Sequence, residues 1–115
     1  MVTEMPLADL VQRVTVRDPG RTRKLLKCLS MPLSIEIMNQ LYNGRVKRYN
    51  EIKKMLGIRD TKGFSRALLS LTSLGLVQRT VMPFTPPAVV YEITDFGKSV
   101  LENIAMASDQ FQMMK

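Results

Sequence analysis

The side chains best suited to bind a ligand lie on one side of a predicted helix, Thr61 to Leu74. At about 100° per residue, the apolar side that must be buried carries Phe64, Ala67, Leu68, Leu71 and Leu74. The opposite side carries hydroxyls, cations and one leucine: Thr61, Lys62, Ser65, Arg66, Leu69 and Ser73. Arginine can pair with guanine O6 and N7, hydroxyls can bond base edges, and free N–H groups at a helix N-terminus attract phosphate. This pattern predicts a helix that enters the major groove of DNA, although an ordinary amphipathic helix would show the same periodicity.

Further cations surround this helix in the sequence. Lys53, Lys54 and Arg59 precede it, and we expect them to contact phosphates on either side of the groove. Arg79 follows it on the first predicted strand, where we expect it to contact the backbone beside the minor groove. Residues 45–79 hold nine Lys or Arg and two acidic residues, a surplus that equals the whole chain's net charge of +7. A basic region of this kind is typical of polyanion binding, and its alternative is a solvated basic surface.

The elements that must position these residues form a short helix, a tight turn and a longer helix. Asn50 is the predicted cap of the short helix, which Gly57 ends, and Asp60 is the predicted cap of the helix that begins at Thr61. This order is typical of a helix-turn-helix.

The rest of the chain indicates helices around one β-hairpin. Strands are predicted over residues 76–82 and 89–93, joined by a proline-rich tip, and Thr94 caps a final helix that extends to about Met114. Upstream we predict helices at 3–16 and 21–30, and a third with Pro32 in its first turn that stops at Asn43-Gly44. The expected class is therefore mainly α with a small β-hairpin. We expect one domain over 1–115, divided into an N-terminal helix (1–18), a core (19–94) and a C-terminal helix (95–115).

The composition argues against catalysis and metal binding. The chain has 115 residues, no histidine and one cysteine, so the commonest general base and the commonest zinc ligand are missing. We find no paired carboxylates, phosphate-binding glycine loop or nucleophile–base pair, and we expect no enzyme, cofactor or metal site. A single cysteine and the lack of a signal peptide or membrane span favour a cytoplasmic protein.

The terminal helices predict a second function, which is dimerisation. The C-terminal helix carries an apolar stripe: Phe96, Val100, Ile104, Ala107, Phe111 and Met114. The N-terminal helix carries a second one: Leu7, Leu10, Val11 and Val14. Pairing between two copies would bury both stripes with two-fold symmetry. The alternative is that both helices pack on their own chain.

Several sequence runs carry a resemblance to a known family. These are Asn50-Glu51-Ile52, Gly75-Leu76-Val77 and, above all, Pro86 to Gly97, which reads PPAVVYEITDFG. Over about residues 28–104 the chain resembles the HxlR-type winged helix-turn-helix transcription regulators, relatives of the MarR and ArsR-like repressors. The resemblance implies a dimer on pseudo-palindromic operator DNA, with the helix from Thr61 in the major groove and the tip at 82–88 as the wing.

Together these observations predict a winged helix-turn-helix homodimer that binds specific double-stranded DNA and regulates transcription. The alternative is a winged-helix module that binds a protein or packages DNA without sequence preference. Two interpretations of Cys28 remain open, a redox sensor helped by Lys24 and Lys27 or a small buried hydrophobe. The sequence identifies no small-molecule effector.

Overall fold

The computed structural model describes residues 14–83 and 86–114. Its helices are α1 (Pro19–Ser30), α2 (Ser34–Leu41), α3 (Tyr49–Met55), α4 (Thr61–Ser73) and α5 (Asp95–Met113). Its strands are β1 (Lys47–Arg48), β2 (Val77–Met82) and β3 (Ala88–Ile93). The predicted class, mainly α with a small β-hairpin, is confirmed. The predicted helix at 3–16 lies almost wholly outside the described residues, as do Leu7, Leu10 and Val11.

The sheet has three antiparallel strands in the order β1-β3-β2. Strands β2 and β3 form the predicted hairpin, in a register that runs from Val77 opposite Ile93 to Met82 opposite Ala88. Strand β1 pairs with the other edge of β3, where Lys47 lies opposite Tyr91. The sequence indicated an extended segment here but not its pairing. Strand β1 leads directly into α3, so the sheet that contains the hairpin is continuous with the helix-turn-helix.

The core lies between α2, α4 and the inner side of the sheet. Helix α2 is central, because it contacts α1, α4, α5 and β3. The buried apolar residues of the core come from α2, α3, α4 and the residue before β2: Ile37, Met38, Leu41, Ile52, Phe64, Ala67, Leu71 and Leu76. The predicted inner side of α4 is therefore confirmed as buried, apart from Leu74, which is partly buried against the same core.

Two upstream helix starts differ from the sequence prediction. Helix α1 begins at Pro19 rather than at residue 21, because the Asp18 carboxylate accepts a hydrogen bond from the Arg21 N–H at 3.1 Å. Helix α2 begins at Ser34, so Pro32 precedes it instead of occupying its first turn. Leu33 lies between them with φ of 76°, a left-handed conformation that a leucine rarely adopts.

The helix-turn-helix also starts earlier than predicted. Helix α3 begins at Tyr49, with Arg48 and not Asn50 at the cap position, because the Glu51 carboxylate accepts the Arg48 N–H at 3.0 Å. Helix α4 begins at Thr61 as predicted, and the Asp60 carboxylate accepts the Gly63 N–H at 3.0 Å. A Cβ at Gly63 would overlap that carboxylate, so a larger residue here would require the Asp60 side chain to shift.

The start of α5 is bonded to the start of β2. The Thr94 hydroxyl accepts the Gly97 N–H at 3.0 Å and donates to the Gly75 carbonyl oxygen at 2.6 Å. The Thr94 N–H donates to the Leu76 carbonyl oxygen at 3.0 Å. Gly97 is buried directly against that carbonyl, where a Cβ would overlap it. The Thr-x-x-Gly spacing therefore fixes where the C-terminal helix leaves the sheet.

Candidate nucleic-acid interface

A short turn sets α4 across the end of α3. Gly57 has φ of 63°, and its N–H donates to the Lys54 carbonyl oxygen at 3.1 Å. Across the turn, the ring of Tyr49 meets the buried ring of Phe64 edge-on, with centroids 4.9 Å apart and an interplanar angle of 63°. This contact fixes one helix against the other, which leaves the N-terminal end of α4 on the surface.

The polar side of α4 projects from the surface, as predicted. Thr61, Lys62, Ser65, Arg66 and Leu69 are all exposed, and Leu69 keeps 68% of its surface accessible. No acidic residue stands in the first turn of α4. Within residues 14–83 and 86–114, the side chains of Lys62 and Arg66 make no hydrogen bond or ion pair. Two cations and a hydroxyl-bearing helix end are thus available to a ligand.

The predicted flanking cations lie around this helix. Lys54 and Arg59 are exposed beside the turn, and Arg79 is exposed on β2. Lys53 is half-buried, and its ammonium donates to the Thr61 hydroxyl at 2.7 Å. The structure thus brings together all the residues predicted to contact DNA: Lys53, Lys54, Arg59, Thr61, Lys62, Ser65, Arg66 and Arg79.

Two tyrosines in this region were not predicted to matter. The Tyr49 and Ser65 hydroxyls lie 2.7 Å apart. Tyr91 faces Arg79 across the β2–β3 ladder, and both line a cleft of about 230 Å³ between α4 and the sheet. One sequence signal points to Tyr49: it lies four residues before Lys53, and Thr61 lies four residues before Ser65. Equal spacing on two facing helices allows two side-chain contacts, one helical turn apart.

Lys47 differs from the other basic residues of this region. It is buried, and its ammonium donates to the Gln40 carbonyl oxygen at the end of α2 at 2.6 Å. Arg45 and Arg48, its neighbours, are exposed. The charge of Lys47 therefore joins β1 to α2, and it does not face outward with the interface cations.

The predicted dimer residues of α5 fall into two groups. Phe96 and Phe111 are exposed, whereas Val100 and Ile104 are partly buried against the core of their own chain. Met106 and Met113, which the stripe did not include, are also exposed. Val14, from the predicted N-terminal stripe, is 74% exposed. The predicted stripe is thus exposed at both ends of α5 and partly buried in the middle, at Val100 and Ile104.

Two other residues lie away from the interface. Cys28 is buried on α1, which supports the interpretation as a small hydrophobe. Tyr42 donates its hydroxyl to the Glu102 carboxylate, which joins the end of α2 to α5. This hydrogen bond, with smaller contributions from desolvation and the negative charge of Glu102, raises the pKa of Tyr42 above its ordinary value.

Among residues 14–83 and 86–114, no three His, Cys, Asp or Glu side chains lie close enough to hold a metal ion. Over the same residues, no helix combines the length and apolarity needed to cross a bilayer.

A helix-turn-helix with an exposed cationic α4, followed by a β-hairpin, defines the chain as a winged helix-turn-helix transcriptional regulator. The model of the family described as HxlR-like helix-turn-helix matches residues 33–114. The chain therefore belongs to the HxlR-like family, as the sequence resemblance predicted. Since the members of this family are transcriptional regulators, the prediction that the chain is not an enzyme is also confirmed.

Individual relatives agree with this assignment. The uncharacterised HTH-type transcriptional regulator YvaP of Bacillus subtilis is 35% identical over 80 residues, 70% of this chain and 73% of the relative. The uncharacterised HTH-type transcriptional regulator YtfH of Escherichia coli is 26% identical over 92 residues, 80% and 72% respectively. The reduced form of the transcriptional regulator YodB of B. subtilis superposes with a TM-score of 0.68 at 26% identity, covering 82% of this chain and 94% of that one.

Proposed function

We propose that the chain binds specific sequences in double-stranded DNA as a homodimer, with α4 in the major groove and the β2–β3 hairpin on the flanking backbone. The observation that carries this proposal is the outward side of α4, where Lys62 and Arg66 are exposed and unpaired within the described residues. Thirteen residues give α4 a length of about 20 Å, enough to cross a groove about 12 Å wide.

The cations divide into two roles under this proposal. Arg66 lies within α4, where a guanidinium can reach the O6 and N7 atoms of a guanine. Lys53, Lys54 and Arg59 lie beside the start of α4 and neutralise phosphates of one strand. Arg79 lies on the hairpin, so it neutralises phosphates on the other side of the groove.

The exposed C-terminal half of α5 supports the dimer. Phe111 and Met114, both on the predicted stripe, are 74% and 73% exposed, and Ala107, one turn before Phe111, is also exposed. An apolar surface of this kind is typical of an interface between subunits. A two-fold dimer places its two α4 helices on half-sites about 34 Å apart, one turn of the double helix.

A competition shift assay tests the proposal. Duplexes selected from a random pool are labelled, and the complex is challenged with unlabelled selected duplex or with unlabelled random duplex. We expect the selected duplex to compete at least about 1,000-fold better, and to show two inverted half-sites. A ratio near one would favour the alternative, an architectural or protein-binding module. Binding should also weaken with salt, with a slope of about −0.9 for each phosphate contact.

A further inference from the structure

Two parallel hydrogen bonds join α3 to the outward side of α4. Tyr49 meets Ser65 at 2.7 Å between hydroxyl oxygens, and the Lys53 ammonium meets the Thr61 hydroxyl at 2.7 Å. Each helix contributes residues four apart, so the two bonds lie about one helical turn from each other. Both hydroxyls that were predicted to read bases are therefore already bonded to α3, whereas Arg66 is not.

The chemistry of each partner decides the direction of its bond. An ammonium can only donate, so the Thr61 oxygen accepts from Lys53 and its own O–H hydrogen remains to be donated. A phenol is a stronger hydrogen-bond donor than an aliphatic alcohol, so we assign Tyr49 as the donor and Ser65 as the acceptor. The Ser65 hydrogen is then also free. A hydroxyl that accepts one hydrogen bond is polarised and donates the next one more strongly.

The groove edges of the bases respond differently to such donors. Guanine presents O6 and N7, adenine presents N7, and thymine presents O4, all of which accept hydrogen bonds. Cytosine presents only its N4 amino donor. A hydroxyl without a partner serves either kind of edge, because it can donate or accept.

We infer that Tyr49 and Lys53 are positioning residues that hold Ser65 and Thr61 as hydrogen-bond donors toward the groove. Each hydroxyl keeps its own hydrogen and only one free lone pair, so the two positions of each half-site that they contact should favour guanine, adenine or thymine over cytosine on the contacted strand. This inference rests on the proposed function and adds a base preference to it. Lys53 keeps two further N–H donors for a phosphate. The same side chain can therefore contact the DNA backbone and hold the Thr61 hydroxyl that contacts a base.

The experiment is selection from a random duplex pool with the full chain and four variants. Tyr49→Phe removes one α3 hydroxyl and keeps the ring that contacts Phe64, and Lys53→Met removes the ammonium of the second bond. The matched controls are Tyr42→Phe, a hydroxyl on the far side of the core, and Lys54→Met, a neighbouring ammonium without such a bond. Thermal unfolding of each variant confirms that it is folded.

The wild-type chain should disfavour cytosine at two positions in each half-site. Tyr49→Phe and Lys53→Met should each relax that preference roughly threefold to tenfold, at one position only, the worth of one net hydrogen bond. Lys53→Met should in addition weaken binding to every sequence, because it also removes a phosphate contact. Tyr42→Phe should change nothing. Lys54→Met should weaken all sequences together and leave the base profile intact.

A double-variant comparison separates positioning from a general structural effect. In a Ser65→Ala background the α3 hydroxyl has nothing to orient, so adding Tyr49→Phe should no longer change the base profile. An unchanged profile for both Tyr49→Phe and Lys53→Met, or enrichment of cytosine at both positions, would overturn the inference. If the wild-type chain enriches no sequence at all, the proposed function itself fails, which is a different result.

Discussion

At the residue scale, the outward side chains of α4 differ in whether they already have a partner. Thr61 and Ser65 are bonded to α3, whereas Lys62 and Arg66 make no hydrogen bond or ion pair within the described residues. The Arg66 guanidinium breaks no contact among these residues when it meets a base. Its substitution should therefore affect binding without affecting folding. The phosphate contact proposed for the exposed Lys54 would differ again, because a phosphate contact carries no sequence information.

Arg66→Ala should therefore weaken binding to the selected duplex by about 1–3 kcal/mol and relax the base preference at one position. Lys54→Ala is the matched control, which should weaken selected and random duplexes alike and reduce the salt slope by about 0.9. Titration of both duplexes at several salt concentrations measures these effects. Equal losses on both duplexes for Arg66→Ala would contradict its role as a base reader.

Cys28 is a residue for which burial decides the chemistry. It keeps only 2% of its surface accessible, packed in the core with Leu29. A thiol reagent should label it many-fold more slowly in the native chain than in denaturant, because labelling requires an opening of α1. Time courses with and without denaturant give the ratio. Equal rates would show that the thiol is reachable, which would restore the sensor interpretation.

At the scale of elements, the junction between α5 and β2 depends on close contact at Gly97. Gly97→Ala would press a methyl group against the Leu76 carbonyl oxygen and the Ile93 side chain. We expect it to lower the free energy of unfolding by about 1–3 kcal/mol. Gly20→Ala is the control, because its Cβ meets only Asp18 Oδ1 at 3.5 Å, and it should stabilise α1 by about 0.5 kcal/mol. Urea denaturation measures both, and a Gly97→Ala chain as stable as wild type would refute the close contact.

The elements that the sequence predicted well are those whose ends are set locally. Helix α4 begins at Thr61 because Asp60 caps it, and α5 begins at Asp95 because Thr94 does. The predicted start of α2 is wrong, because Leu33 adopts a left-handed conformation that no local sequence pattern indicates. The pairing of β1 with β3 joins residues more than forty positions apart, so periodicity could not reveal it.

The candidate site divides in the same way. The exposure of Lys62 and Arg66 follows from helical periodicity, which the sequence carries. The bond between Tyr49 and Ser65 depends on the angle between two helices, which is set by core packing. The burial of Lys47 similarly depends on the position of the Gln40 carbonyl oxygen at the end of another helix. Side chains with the same charge thus have different roles, and only the packing distinguishes them.

At the scale of the whole molecule, the exposed half of α5 determines the expected assembly. Phe111→Glu places a charge in the proposed subunit interface, and should raise the dimer dissociation constant by about tenfold or more. Val46→Glu, at an exposed apolar residue in the loop before β1, is the control and should leave assembly unchanged. Sedimentation equilibrium measures both. A Phe111→Glu chain that dimerises as tightly as wild type would place the interface elsewhere.

The hydrogen bonds of Thr94 connect α5, which carries the proposed subunit contact, to the β2–β3 hairpin. Its hydroxyl and N–H hold the first turn of α5 to the residues that open β2, and β3 continues directly into Thr94. A tilt of α5 relative to its counterpart in a dimer would accordingly rotate the hairpin, and through β1 the entry to α3, as one body. Any molecule that altered the angle between the subunits of the proposed dimer would change the distance between its two α4 helices, and should therefore change DNA affinity without contacting the DNA.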